Sequence, residues 1–347
     1  MKFFATCIQG MEEIVKEDLK NQNCKIVDSD ITFKQGKVFF ESNKKLNEIL
    51  KLRSVSHIYL LLSKKDVGIK QDAFEKILKN INKTDFLKLF SYIDKKRKKT
   101  YRISAKRIGK KQPFTSPEIE KAVAEEIYSK YKPIYDLKNY DYEIYIEVND
   151  NKCIVAGKIT KTTLRDRKYL DFFHPALLNS NIAYGLVLLS KPKQDQTVLD
   201  PMCGSGTILI ERALYPINAK RIVGYDISSK FIKGAKINAK KANVSRKVEF
   251  IEGDGTDTRF KEKSVNIIIS NLPFGKRVGS AKLNIDLYDR LFKECSRILH
   301  HEGKIIFLST NIRKIKNMAF KYNLNIEKEF RINYGGLNPK ILIIKRK

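Results

Sequence analysis

Paired cysteines are missing from this chain. Its five cysteines, Cys7, Cys24, Cys153, Cys203 and Cys295, are scattered without a Cys-x-x-Cys unit, and only four histidines accompany them. Neither a zinc site nor a disulfide framework is expected, and no metal. Long apolar runs are missing as well. Ile182 to Leu189 is too short to span a bilayer, and Met1-Lys2-Phe3-Phe4-Ala5 lacks the apolar region of a secretory signal. The expectation is a cytoplasmic protein with no membrane association. No internal repeat or low-complexity tail interrupts the chain. Acidic residues are scarce: 39 Asp and Glu stand against 69 Lys and Arg, a formal net charge of +30. That excess favours a polyanionic partner bound in a salt-sensitive way, although Lys-rich composition also arises in proteins of hot or AT-rich sources. What is present is enough apolar material for real cores, 42% of 347 residues, and a length that suits two or three domains.

Two common nucleotide-binding patterns are also absent from the stretch around which the chain is organised. Leu199-Asp200-Pro201-Met202-Cys203-Gly204-Ser205-Gly206-Thr207 ends a short apolar strand at an acid, turns on two glycines and opens a helix over Ile208 to Leu214. A phosphate-gripping loop needs a lysine and a hydroxyl directly after its last glycine, but Thr207-Ile208-Leu209 follows Gly206. A dinucleotide turn needs a third glycine at a fixed offset, which rules against a bound pyrophosphate. An acid at a strand end beside a glycine turn remains. It suits a ligand carrying an ammonium group and a ribose, and S-adenosylmethionine is such a ligand. Cys203, inside the turn, reads as a small side chain that fits there.

A doubly wound sheet then demands a second strand-end acid about 20 to 25 residues later, available to ribose hydroxyls. Ile222-Val223-Gly224-Tyr225-Asp226 supplies it. A third strand, Val248 to Ile251, leads through Glu252-Gly253 to Asp254, and a fourth, Val265 to Ile269, leads through Ser270 into Asn271-Leu272-Pro273-Phe274-Gly275. In an open parallel sheet these strand ends share the carboxyl edge, where ligands bind. Asn271 to Phe274 is the expected reaction centre. The Asn carbonyl and the following backbone accept hydrogen bonds from an exocyclic amine, Pro273 stiffens the turn, and Phe274 offers a face on which an extruded base stacks. Methylation of such a nitrogen hardly needs a strong base, so catalysis rests on proximity and alignment.

These residues carry a resemblance. Asp200 to Gly206, Asp226, Asp254 and Asn271 to Phe274 together resemble the class I S-adenosylmethionine-dependent methyltransferases of the amino-group type. His174-Pro-Ala-Leu-Leu178, Asp200 to Gly206 and Asn271-Leu-Pro-Phe-Gly-Lys-Arg277 are closer still to the THUMP-containing tRNA guanine-N2 methyltransferases, in particular those acting on guanosine 6 of the acceptor stem. Leu272 stands where a second proline is more frequent. The resemblance implies an α/β and α+β multidomain protein: a C-terminal Rossmann-like class I methyltransferase domain with a seven-stranded sheet and one antiparallel strand, after ferredoxin-like and THUMP domains. It implies S-adenosylmethionine as cofactor, with Gly204, Ser205 and Gly206 and Asp200 around its methionine part, Asp226 at the ribose, and Asp254 with Gly255 at the adenine edge. His174, Pro175, Ala176, Leu177 and Leu178 are carried over as cofactor contacts. Asn271, Pro273 and Phe274 are the catalytic set, with Asn271 also touching the cofactor, and the product is N2-methylguanosine.

Earlier in the chain, Lys2 to Leu62 read as a βαββαβ order, which closes readily into a ferredoxin-like layer. The expected regions are 1–55 for that layer, 56–160 for the THUMP domain, 161–175 for a linker and 176–347 for the catalytic domain. The run Lys95 to Lys99 reads equally as a solvated face. Lys106, Arg107, Lys110 and Lys111 surround Gly109 at a strand end, where backbone approaches phosphate. Arg102 to Gly109 and Phe114 to Glu118 resemble the THUMP core, which implies recognition of the tRNA acceptor end and its 3′ terminus. Arg165 and Arg167 of the linker, and Lys276 and Arg277 after the reaction motif, complete the expected RNA contacts. An apolar helix is expected over Ala176 to Leu189, and helices over Leu287 to Leu299 and Ile312 to Tyr322. The late hairpin around Gly335-Gly336 implies that the antiparallel strand lies at the sheet edge.

The motif also serves adenine-N6 and cytosine-N4 methylation and N2 methylation of ribosomal RNA, and guanosine 10 of tRNA is a competing target. A non-enzymatic RNA-binding module is the alternative of another class. No protein partner is needed, and a monomer is expected.

Overall fold

A computed structural model describes residues 1–32, 35–69, 72–93, 100–273 and 281–347. The chain divides into two compact units, Met1–Cys7 with Val15–Leu164, and Ile8–Ile14 with Arg165–Lys347.

In the first unit the elements run β1 (Lys2–Ile8), α1 (Glu12–Asn21), β2 (Lys25–Thr32), β3 (Gln35–Glu41), α2 (Leu46–Ile49), β4 (His57–Asp66), α3 (Ala73–Lys83), α4 (Leu87–Ile93), β5 (Thr100–Ile108), α5 (Ser116–Tyr131), β6 (Ile134–Tyr135), β7 (Tyr142–Asn149) and β8 (Lys152–Lys158). One eight-stranded sheet takes them in the order β2-β3-β1-β4-β8-β7-β5-β6. The first four strands have the order of a ferredoxin-like layer. That layer is not closed, however, because β4 pairs antiparallel with β1 on one side and with β8 on the other. Period-2 alternation explains the two faces. Phe3, Ala5, Ile58, Leu60, Ile144 and Ile146 meet the apolar stripes of the helices, while Phe4, Phe39, Tyr59, Ile154 and Ala156 cluster on the opposite face. Helix α5 starts on a capping box, in which Thr115 and Glu118 exchange bonds, with Pro117 in the first turn.

In the second unit α6 (Ser180–Leu189), β9 (Thr197–Asp200), α7 (Thr207–Ala213), β10 (Arg221–Asp226), α8 (Ser229–Lys241), β11 (Glu249–Glu252), β12 (Val265–Asn271), α9 (Ala281–Ile298), β13 (Leu299–Ser309), α10 (Ile312–Lys321), β14 (Leu324–Arg331) and β15 (Lys340–Arg346) follow one another. They build a seven-stranded sheet, β11-β10-β9-β12-β13-β15-β14. The strands buried on both faces split their side chains between two cores. Val198, Ile222, Ile267 and Ile269 pack against α6, α7 and α8, and Leu199, Val223 and Ile268 against α9 and α10. Each such Val, Leu or Ile contributes ~1.5–3 kcal/mol by leaving water.

Three expectations are corrected. The antiparallel strand, β15, is not at the edge. It inserts between β13 and β14, antiparallel to both, because the turn after β14 brings the chain back inward. The helix expected from Ala176 begins at Ser180, where the Asn179 side chain accepts from the Asn181 amide at 2.9 Å and so sets the start. The helix expected from Leu287 begins at Ala281. Residues 8–14 supply part of the second unit's own core: Gly10 has φ +93° with no room for a Cβ beside the Arg331 carbonyl, and Met11 packs where Gly185 lacks a side chain. Among the described residues no helix is long and apolar enough to cross a membrane.

Candidate cofactor and acceptor site

The strand order reverses between β9 and β12, and a crevice outside the carboxyl ends follows from that topology. Asp200 closes β9 there, 1% exposed. Its Oδ1 accepts from the Ser270 hydroxyl at 2.7 Å and from the Met202 amide at 3.1 Å. Burial pushes its carboxyl up to about 7, with Asp226 adding to the rise against those two hydrogen bonds. The Cys203 thiol is pushed well up by burial and by the same two carboxylates, so it is an inert packing group.

The turn after Asp200 is stitched to the next strand end. The Cys203 amide donates to the Tyr225 carbonyl at 2.8 Å, and the Gly204 amide donates to Asp226 Oδ2 at 2.9 Å. Gly204 and Gly206 have φ of +51° and +77°, the left-handed region that glycine enters without strain. A Cβ on Gly206 would also stand 2.8 Å from the Phe250 ring. Gly255 serves close approach alone, since its Cβ would stand 1.9 Å from the Pro201 carbonyl oxygen. Ser205 is buried, its hydroxyl 3.3 Å from that of Thr207.

Asp226 also accepts from the Ser228 amide, and the residue between them, Ile227, is 79% exposed. Asp254 accepts from the Thr256 amide and hydroxyl and pairs with Arg290 at 2.7 Å. Burial works to raise its carboxyl, yet these partners together hold it below the usual range.

The segment 167–178 forms a strap beside the turn. His174 lies over Gly204, with its ring edge-on to Phe231 at 4.0 Å, and its Nδ1 accepts from the Ala176 amide. Burial lowers its pKa against the pull of Asp226, so the ring is neutral at pH 7. Pro175 and Ala176 are exposed, the Leu177 carbonyl accepts from the Tyr334 hydroxyl, and Leu178 is packed in the core.

Asn271 ends β12 across the switch point, opposite Leu308 of β13. Among the described residues its buried Oδ1 has no hydrogen-bond partner. The Pro273 carbonyl accepts from Tyr288 at 3.3 Å. Phe274, Lys276 and Arg277 lie outside the described residues, as does the run Lys95 to Lys99.

The expected RNA contacts separate. Lys110 and Lys111 are exposed on the loop after β5, and Lys111 pairs with Asp150. Lys106 and Arg107 are half-buried, and Arg107 donates to the Gln112 carbonyl at 2.8 Å. Arg165 is exposed beside Asp166. Arg167 is not a surface cation: its side chain is 8% exposed and pairs at 2.9 Å with Glu211, which is 0% exposed. Its charge neutralises Glu211 instead of meeting phosphate.

Three carboxylates at neighbouring strand ends, a cradle with no room for a Cβ at Gly206 or Gly255, and a buried acceptor without a partner among the described residues fit S-adenosylmethionine and an amino-group acceptor. Residues 167–340 match the family described as "RMKL-like, methyltransferase domain", and residues 72–156 match the THUMP domain. The chain is 29% identical to the tRNA (guanine(6)-N2)-methyltransferase of Methanocaldococcus jannaschii over 99% of this chain and 100% of that protein. It is 25% identical to the protein of the same description from Archaeoglobus fulgidus, over 99% of this chain and 92% of that one. The human U6 snRNA (guanine-N(2))-methyltransferase is 34% identical over 60% of this chain and 40% of its own length. Crystalline TrmN from Thermus thermophilus has the same fold, with a TM-score of 0.83 at 22% identity, covering 100% of this chain and 99% of that one.

Proposed function

Because this chain belongs to the RMKL-like methyltransferase-domain family, we propose that it uses S-adenosylmethionine to form N2-methylguanosine in tRNA, at guanosine 6 of the acceptor stem, as a cytoplasmic monomer. The observation that carries the chemistry is the buried Oδ1 of Asn271, which has no hydrogen-bond partner among the described residues. An unsatisfied buried acceptor costs ~1–3 kcal/mol, which is recovered when an amino group donates to it. The base it selects is therefore one that presents an exocyclic amine.

Asp226 holds the ribose hydroxyls, Asp254 and Gly255 border the adenine, and Asp200 with Gly204 to Gly206 enclose the methionine part under His174. When bound, S-adenosylmethionine supplies an electrophilic methyl group. Asn271 and the backbone at Pro273 hold N2 in line with it, and Phe274 stacks the base. A positioned amine needs no strong base here, because the nitrogen turns acidic once alkylated, so alignment supplies most of the rate. The THUMP region, with Lys106, Lys110 and Lys111, docks the acceptor end, and Arg165 meets the RNA backbone. Full-length correspondence with a guanosine-6 enzyme supports this target over others.

Transfer of labelled methyl to unmodified tRNA transcripts, followed by nuclease mapping, tests the reading. N2-methylguanosine at position 6 is expected. Label at guanosine 10 would move the target while keeping the chemistry, and label only in another RNA would overturn tRNA as substrate. Asn271→Ala is expected to abolish transfer with RNA affinity nearly unchanged.

A further inference from the structure

Asn238, on α8, is 0% exposed and so does not itself line the crevice described above. Among the described residues its amide bonds to two segments that do. Oδ1 accepts from the Asp171 amide at 3.0 Å and the Phe172 amide at 2.9 Å, and Nδ2 donates to the Phe172 carbonyl at 3.1 Å and the Ser205 carbonyl at 3.2 Å. One side chain thus ties the strap, through Phe172, to the middle residue of the glycine turn. One helical turn earlier, Gly234 leaves the space that the Phe172 ring fills: a Cβ there would stand 2.1 Å from the ring. Two residues beyond Phe172 in the strap is His174, over Gly204.

We propose that Asn238 and Gly234 form a latch that fixes the strap on α8, so that His174 and the turn close the methionine end of the cofactor site together. Asn238 is a positioning residue, and its effect is on cofactor affinity and not on the methyl-transfer step. The physical reason is satisfaction: donors and acceptors of the strap and the turn converge on one buried amide, and no smaller side chain replaces them. The inference rests on the glycine turn being the cofactor site.

The test uses the full chain and S-adenosylhomocysteine as probe, with calorimetry for affinity, thermal melting, and kcat at saturating S-adenosylmethionine. Wild-type binding establishes the site; its absence would sink the proposed function itself. With binding established, Asn238→Ala is expected to weaken affinity about tenfold or more, with kcat at saturation within about twofold. Gly234→Ala provides the independent arm. A purely structural role predicts that crowding of the Phe172 ring lowers the melting temperature while the affinity of the folded protein is unchanged. The latch predicts that the added methyl expels the Phe172 ring and weakens affinity by a similar factor. Unchanged affinity in Gly234→Ala overturns the latch, whether or not Asn238→Ala folds. A loss confined to kcat in either variant also overturns it.

Discussion

Asp200 carries its carboxyl in a place without water, and burial holds its pKa at about 7, against 3.8 ordinarily. The folded protein therefore binds a proton that the unfolded chain has released. This contribution to stability is fully present below 3.8 and is lost as pH rises through about 7. Asp226 and Cys203 face the same carboxyl, and the Ser270 hydroxyl and Met202 amide bond to it. Asp200→Asn mimics the protonated form. Melting of the ligand-free protein is expected to show the variant level with wild type below pH 3.8 and increasingly more stable as pH rises through about 7; parallel curves would refute the burial argument. A ligand bearing an ammonium group favours the carboxylate, so the same variant loses cofactor affinity mainly at the higher pH.

At the scale of elements, the strand-turn-helix runs were legible because their signals are local. The glycine turn, the acid ending β10 and the Asn-x-Pro ending β12 do lie along one sheet edge. The second half of the strap, His174 to Leu178, was legible as a motif, but its first half was not. Arg167 reads as one more cation in a basic linker, and only the fold brings Glu211, on the inner face of α7, within 2.9 Å of it. Tyr169 adds its hydroxyl to the same oxygen at 2.7 Å. Arg167→Ala leaves Glu211 with a buried, half-compensated charge and is expected to destabilise the protein by ~3–5 kcal/mol, read from denaturant unfolding, with an unchanged salt dependence of RNA binding. A stable variant with weakened RNA binding would restore the surface reading. The edge strand was misplaced for a related reason: a hairpin signal gives the sense of a strand but not which neighbour it pairs with.

For the whole molecule the governing quantity is charge, +30 over 347 residues. Binding to a polyanion then releases counterions, and affinity for tRNA is expected to fall steeply and linearly on a logarithmic salt scale. Lys110, exposed on the loop after β5, is expected to account for a slope change of about 1 when replaced by alanine, without altering which nucleotide is methylated. An unchanged slope would remove that loop from the RNA interface.

The seven residues from Ile8 to Ile14 belong to the second unit, although the rest of that unit begins at Arg165. Met11 and Ile14 are buried in its core, and Gln9 accepts from the Asn333 amide at 2.9 Å. Recombination between relatives therefore cannot exchange the catalytic half by a single crossover near residue 164. The incoming half would arrive without a piece of its own interior, and its Gly185 would face a foreign residue where Met11 packs. Lineages of this fold are expected to inherit the two halves together, with compensating changes at positions far apart in the gene.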